Sequence, residues 1–219
     1  MPVPDSVYFG PAENGDGLFY GQIRGIAEEL QFRALQRRFN AIFIGQVNEL
    51  AKFDQGKRVV RSPFPLFLMT CVGIEVLGKI FFTPNGGQQE EVQRDGFLKI
   101  CGKIHTGFTR PLNSEQKTDY DRLWGQDKHR NVPSIGHIIY RFGRHTMIHG
   151  YQGRGVFITE DAAYPEWSVV DGAVVLNPYW FWDRFKQSST ALWDEFYANK
   201  EPTNARKKSA RAYLSELLQ

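Results

Sequence analysis

Apolar positions along this chain recur mostly at helical spacing. From about Ile26 to Lys52, residues Leu35, Phe39, Ile42, Phe43, Val47 and Leu50 follow the i, i+4, i+7 rhythm of an amphipathic helix, with Arg33, Arg37, Arg38 and Lys52 on the other face. A second helix is predicted over Phe64 to Phe82, with Ser62 and Pro63 as start signals and Pro84 as the stop. It is apolar nearly all round, which marks it as the central element of a bundle. A third, weaker helix spans about Glu90 to Ile104, and residues 105–131 read as a long polar loop with a helical turn around Tyr120 to Trp124. A fourth helix is predicted over residues 134–150, after Pro133 and up to a glycine.

The period then changes to two. Gly155 to Thr159 alternates, and Trp167–Val170 joins Val174–Leu176 through Asp171-Gly172, a strong hairpin signal. Asn177-Pro178 supplies an N-cap and first turn for a long helix with Phe181, Phe185, Leu192 and Phe196 along one stripe. A short basic helix, about Asn204 to Leu218, closes the chain. The expected fold class is mainly α: a bundle of about five helices with a small β-hairpin inserted before the last long helix. Residues 1–25 read as an irregular lead-in, 26–200 as the helical domain and 201–219 as the C-terminal helix.

Composition changes this picture little. At 219 residues, 42% hydrophobic and 23% charged, the chain can bury a sizeable core, and a net charge of +3 is too small to establish nucleic-acid binding by itself. The opening Met-Pro-Val-Pro-Asp-Ser has neither a basic nor an apolar leader region, so no signal peptide is expected. The run Phe64–Ile74 is short for a membrane span and meets Glu75 and Lys79. Cys71 and Cys101 sit in apolar-periodic segments and read as buried free thiols. These signals together point to a cytoplasmic protein without membrane contact.

The candidate chemistry lies in the fourth helix. At 100° per residue, His137, Arg141, Arg144, His145 and His149 fall within an arc of about 140°, and the helix contains no acidic residue. Gly136, Gly143 and Gly150 recur on another stripe, which calls for a closely packed neighbouring helix. Arg144 and His149 flank the basic arc, about 140° apart, so they meet on one phosphate only through the reach of arginine or through a partner chain. Carbonyls at a helix C-terminus favour a protonated imidazole, which suits proton transfer by His149 near neutral pH. A solvated basic helix end is the plain alternative. His145 and His149 also stand at a spacing that can bind zinc, but no Glu follows the first His and no Cys or acid lies nearby in sequence, so no metal is expected.

Arg144, a polar residue after it, and His149 resemble the R-x(4–6)-H signature of HEPN domains, small helical bundles that include many endoribonucleases. The stretch Met69-Thr-Cys-Val-Gly-Ile-Glu-Val-Leu-Gly-Lys-Ile80 resembles the apolar helix of that family with its embedded acid. The resemblance covers roughly residues 26 to 200. It implies a homodimer with two facing motif helices, acting on RNA without a metal or other cofactor, in defence or stress response. The implied reaction is attack of a ribose 2′-hydroxyl on the adjacent phosphate, leaving a 2′,3′-cyclic phosphate. His149 would be the general acid/base, Arg144 would stabilise the anionic phosphorane, and His145 would orient the phosphate or the His149 ring. Glu75, Arg141 and His137 would support the site or touch RNA. An antitoxin or associated protein is a further partner the resemblance allows. A non-catalytic relative that binds nucleotide or RNA, or serves for dimerisation, is the alternative.

Several other features admit two readings. Glu75 either pairs with a nearby cation such as Lys79 or reaches toward Arg144. The clusters Arg33/Arg37/Arg38 and Lys207/Lys208/Arg211 either track an RNA backbone or form the wet faces of their helices. Among Tyr179, Trp180, Trp182 and Trp193, packing is the expected role, with Trp180 and Trp182 singled out for exposure and base stacking.

Overall fold

A helix without a polar face must be surrounded, and the chain is arranged around one that meets this description. The computed structural model describes residues 3–52, 63–83, 90–124, 133–142 and 156–219. Helix α4 (Pro63–Phe82) packs against α5 (Glu90–Ile104), α8 (Pro178–Ala198) and α9 (Ala205–Leu217). Leu66, Phe67, Ile74, Leu77, Ile80 and Phe81 on α4 are almost wholly buried. Among the described residues α4 is the one helix long and apolar enough to cross a membrane by length and composition, and 56% of that stretch is buried inside the fold.

Two glycines set the closest helix crossing described. A Cβ added at Gly78 of α4 would stand 2.9 Å from the carbonyl carbon of Gly96 on α5, so backbone meets backbone there. The aromatic stripe of α8 fills the rest of the core. Phe181 stacks on Phe67 at 5.9 Å between centroids, and Trp193 meets Phe81 edge-on at 4.8 Å. Phe196 reaches both Phe81 and Phe32, tying α8 to α4 and α2 (Glu28–Arg38). Helix α8 starts as its sequence requires: Asn177 Oδ1 accepts from the amides of Tyr179 and Trp180, and Pro178 occupies the first turn.

The fold differs from the sequence expectation in four places. Residues 3–25 of the expected irregular lead-in hold regular elements. Strands β1 (Tyr8–Pro11) and β2 (Gly17–Phe19) pair antiparallel and run into α1 (Tyr20–Gly25), burying Phe9, Tyr20 and Ile23. The helix expected from Ile26 to Lys52 is helical throughout Glu28–Ala51 but contains a π-helical segment, Phe39–Ile44, between α2 and α3 (Gly45–Ala51). In α3 beyond it, Val47 is buried while Leu50 is exposed. Residues 105–131 are not simply a loop. They hold a 3₁₀ turn, Thr106–Thr109, and helix α6 (Ser114–Trp124). Local polar bonds rather than apolar period hold α6: the Gln116 side chain accepts from the Asn113 amide at 3.1 Å, Asn113 Oδ1 accepts from the Gln116 amide at 2.8 Å, and Lys117 pairs with Asp121 at 2.6 Å.

The expected hairpin is present but is part of a larger sheet. Strand β4 (Trp167–Val170) pairs antiparallel with β5 (Ala173–Leu176), and β3 (Val156–Ile158) joins the other edge of β5 in parallel. Asp171 and Gly172 both have positive φ, 48° and 79°, which the primed two-residue turn demands. The third helix, the long α8 and the C-terminal helix run within a residue of their predicted bounds.

Helix α9 is held by ion pairs at its edges. Arg211 makes a two-pronged contact with Glu28 of α2, at 2.5 and 2.8 Å, and Arg206 pairs with Glu195 of α8 at 2.7 Å. The Arg211 hydrogen bond holds the Glu28 carboxyl below its ordinary range, and those from Lys103 and Arg206 do the same for Glu195. A carboxylate with a lowered folded-state pKa stabilises above its unfolded value, and that contribution is lost as pH falls through the lowered one. Urea midpoints of the wild type should therefore drop on going from about pH 7 to about pH 3, and Arg211→Ala should show a smaller drop over the same interval. Equal drops would remove the Glu28 contact from the account. At the α4–α5 crossing, Gly78→Ala should lower stability by about 1–2 kcal/mol, overpacking outweighing the gain in helix propensity. Gly25→Ala, whose added Cβ meets nothing within 4 Å, should raise it by up to about 1 kcal/mol in the same denaturation assay.

Candidate functional site

The segment that enters the Arg144–His149 motif begins at Ser134. Helix α7 (Ile135–Arg141) carries Ile135, Ile138, Ile139 and Tyr140 into the core, and Tyr140 meets Phe97 of α5 at 5.1 Å. Gly136 lets α7 come close: a Cβ there would lie 3.1 Å from Leu98 Cδ2 and 3.2 Å from the Phe108 carbonyl oxygen. The expected tight packing thus holds at Gly136, while Gly143 and Gly150 lie outside the described residues. Phe142 is buried against Phe64 and Phe67 in the first turns of α4, with centroids 6.4 and 5.6 Å away. The chain is therefore anchored on the core immediately before the motif.

Arg144, His145 and His149 themselves lie outside the described residues. The three remaining candidates can be placed. His137 stands at the third position of α7. Its Nδ1 accepts from the Ser134 amide at 3.0 Å and lies 2.9 Å from Ser134 Oγ. An accepting Nδ1 carries no proton, so the ring closes the N-terminus of the helix as Glu or Gln does in a capping box. Arg141 is 16% exposed; its guanidinium lies 3.5 Å from Glu90 at the start of α5, and its Nε donates to the Tyr120 hydroxyl of α6 at 3.5 Å. Both members of the basic arc that can be placed thus make contacts within the fold.

Glu75 pairs with Lys79 one turn along α4, at 3.3 Å. It lies eight residues beyond Phe67, about 12 Å along the helix from the turn that Phe142 touches. The ion pair with Lys79 is present, and Arg144 lies outside the described residues. The core thiols are also accounted for: Cys71 and Cys101 are free and buried, and burial pushes both well above the ordinary thiol range, with the Glu75 charge adding to the effect at Cys71.

The basic clusters are largely structural. Arg33 pairs with Glu29 and lies 5.0 Å over the Tyr197 ring, Arg37 donates to the Pro11 carbonyl, and Arg38 donates to the Phe9 carbonyl while covering the Phe9 ring. These contacts bind the N-terminal hairpin to α2, a partner that the sequence reading treated as irregular. The aromatic set offers no open stacking platform. Trp182, one of the two rings whose exposure the sequence leaves open, is 1% exposed and its indole donates to Asn48. Trp180, the other, is partly buried against His105 and Phe108. Tyr179 donates to Glu160. Tyr120 is not foreseen as a partner of Arg141 because α6 has no apolar period to announce it, and Glu90 because it lies far from Arg141 in sequence.

Among the described residues no group of three or more His, Cys, Asp or Glu side chains could hold a metal ion. Set beside protein-family profiles, curated proteins and solved structures, the chain matches none of them. The HEPN resemblance therefore rests on the residues that carry it. The capping contact of His137 predicts a stability phenotype. His137→Ala should lower stability by about 1 kcal/mol through loss of the cap, read as a shifted denaturation midpoint, and His137→Gln should restore most of it.

Proposed function

We propose that this chain is a metal-independent endoribonuclease of HEPN type, acting as a homodimer in the cytoplasm in defence or stress response. The observation that carries the proposal is the spacing of Arg144 and His149 directly after a core-anchored helix, in a chain whose fold is mainly helical. The anchoring supports it in a specific way. Phe142 is wedged against α4, so the residues that follow start from a fixed point, and acid–base chemistry needs positions held to within a fraction of an ångström.

In the proposed reaction a ribose 2′-oxygen forms a bond to the adjacent phosphorus as the bond to the 5′-oxygen breaks. The proton leaves the 2′-hydroxyl for a basic imidazole, and the departing 5′-oxygen takes one from an acidic imidazole. A dimer offers one His149 for each task. Arg144 matches the charge of the crowded phosphorane, and His145 orients it. An antitoxin-like protein that covers the motif would be its regulator.

The engagement of His137 and Arg141 within the fold favours a second reading, in which the chain binds RNA or a nucleotide without cutting it. The two readings part on one assay. Purified protein in EDTA should cleave single-stranded RNA to 2′,3′-cyclic phosphate ends, and Arg144→Ala and His149→Ala should each lower the rate by about 10²-fold or more. Arg141→Ala should lose stability while its folded fraction keeps cleaving. Cleavage that survives both motif changes sinks the nuclease reading. Salt-sensitive RNA binding without any product supports the second.

A further inference from the structure

A groove of about 520 Å³ opens between the C-terminal end of α4, the face of α5 and the junction of α8 with α9. Its floor is the half-buried ring of Phe82, next to the wholly buried Phe81. Two cations approach that ring, Lys99 with its Nζ 5.3 Å from the centroid and Arg206 with its guanidinium carbon 5.7 Å away.

The charge balance of the groove is uneven. Glu195 is the one carboxylate in its described lining. It is already shared by Lys103 at 2.9 Å and Arg206 at 2.7 Å, and those two contacts hold its carboxyl below the ordinary range. Lys99 and Arg206 line the groove with Glu195, Lys103 reaches the same carboxylate from outside the described lining, and Lys99 has no carboxylate within ion-pair distance among the described residues. Like charges gathered beside an apolar ring repel one another unless an anion joins them. A single carboxylate ligand would leave part of the surplus, whereas a phosphate monoester carries close to two negative charges near neutral pH. The volume falls within the range of small-ligand sites and exceeds what a bare phosphate fills. Asn199 and Asn204 add amide groups to the same wall.

We propose that this groove binds the phosphate of a nucleotide, with Lys99 and Arg206 gripping the phosphoryl oxygens over Phe82. The source is either a free nucleotide or the phosphorylated end of an RNA strand. The inference goes beyond the nuclease reading and is tested apart from it, because the gripping residues Lys99 and Arg206 lie outside the Arg144–His149 motif.

The test is calorimetric titration of the full chain with adenosine monophosphate at matched ionic strength, beside adenosine as the phosphate-free control. The wild type should bind the monophosphate and not adenosine. Lys99→Ala removes an exposed side chain with one ring contact, so its thermal unfolding should be unchanged while binding weakens roughly tenfold. Glu195→Gln removes the competing carboxylate and should tighten binding, a change of opposite sign that a merely structural role would not produce. Competition by a 5′-phosphorylated RNA assigns the ligand to a strand end; retained binding of the monophosphate without that competition assigns it to a free nucleotide, and both uphold the site. Absence of monophosphate binding, equal binding by the wild type and Lys99→Ala, or binding of adenosine as tight as that of the monophosphate would overturn it.

Discussion

The contact between Gly78 and Gly96 governs how the rest of the helices can be arranged. With no side chain at either position, α4 and α5 meet backbone to backbone. Close approach at one point brings long stretches of both helices into register on either side of it. On one side Phe97, Ile100 and Cys101 enter the core, and on the other Ile74 and Leu77 do. Helix α7 then lies on α5 through Gly136 and Tyr140, so the chain leading to the motif inherits its position from that crossing. Interiors are packed closely enough that a shift of one helix is felt by its neighbours.

Aromatic rings complete what the glycines allow. Phe67 stacks on Phe181, and Phe81, Trp193 and Phe196 form a second group of edge-on and tilted contacts. Rings of this size bury much area and hold preferred mutual angles, so they lock α8 against α4 in one arrangement. Arginine does comparable work at the periphery. Arg33, Arg37, Arg38 and Arg211 each spend their guanidinium on a carbonyl, a carboxylate or a ring of another element. Clusters that look like an RNA track in the sequence are thereby mostly fasteners of the N-terminal hairpin and the last helix.

Much of this fold was legible in the chain, and the reasons are specific. Helices α4, α5, α8 and α9 carry long apolar rhythms bounded by proline, asparagine caps or glycine-rich stretches, and they run close to their predicted bounds. The Asp171-Gly172 turn announced its hairpin, because few dipeptides accept positive φ at both positions. Helix α6 was illegible because capping and i, i+4 charge pairs sustain it instead of an apolar stripe. The parallel partner β3 was hidden because parallel pairing joins distant segments and leaves no turn signal. The π segment at Phe39–Ile44 was hidden because one wide turn does not break a hydrophobic rhythm; it only changes which of the later residues face inward. At the candidate site, His137 and Arg141 share a helical arc with the motif, yet an arc says nothing of what a neighbouring helix places opposite it. Glu90 and Tyr120, which Arg141 contacts, come from elements distant in sequence.

The two cysteines have a use that has nothing to do with RNA. Cys71 and Cys101 sit inside the α4–α5 pair, where burial keeps their thiols protonated and out of reach. Thiolate is the form that reacts with alkylating reagents, and water is the medium in which it forms. Each sulfur can be modified only when the central helices part. The native chain thus carries a clock of its own: the rate at which a thiol reagent is consumed counts the openings of its core.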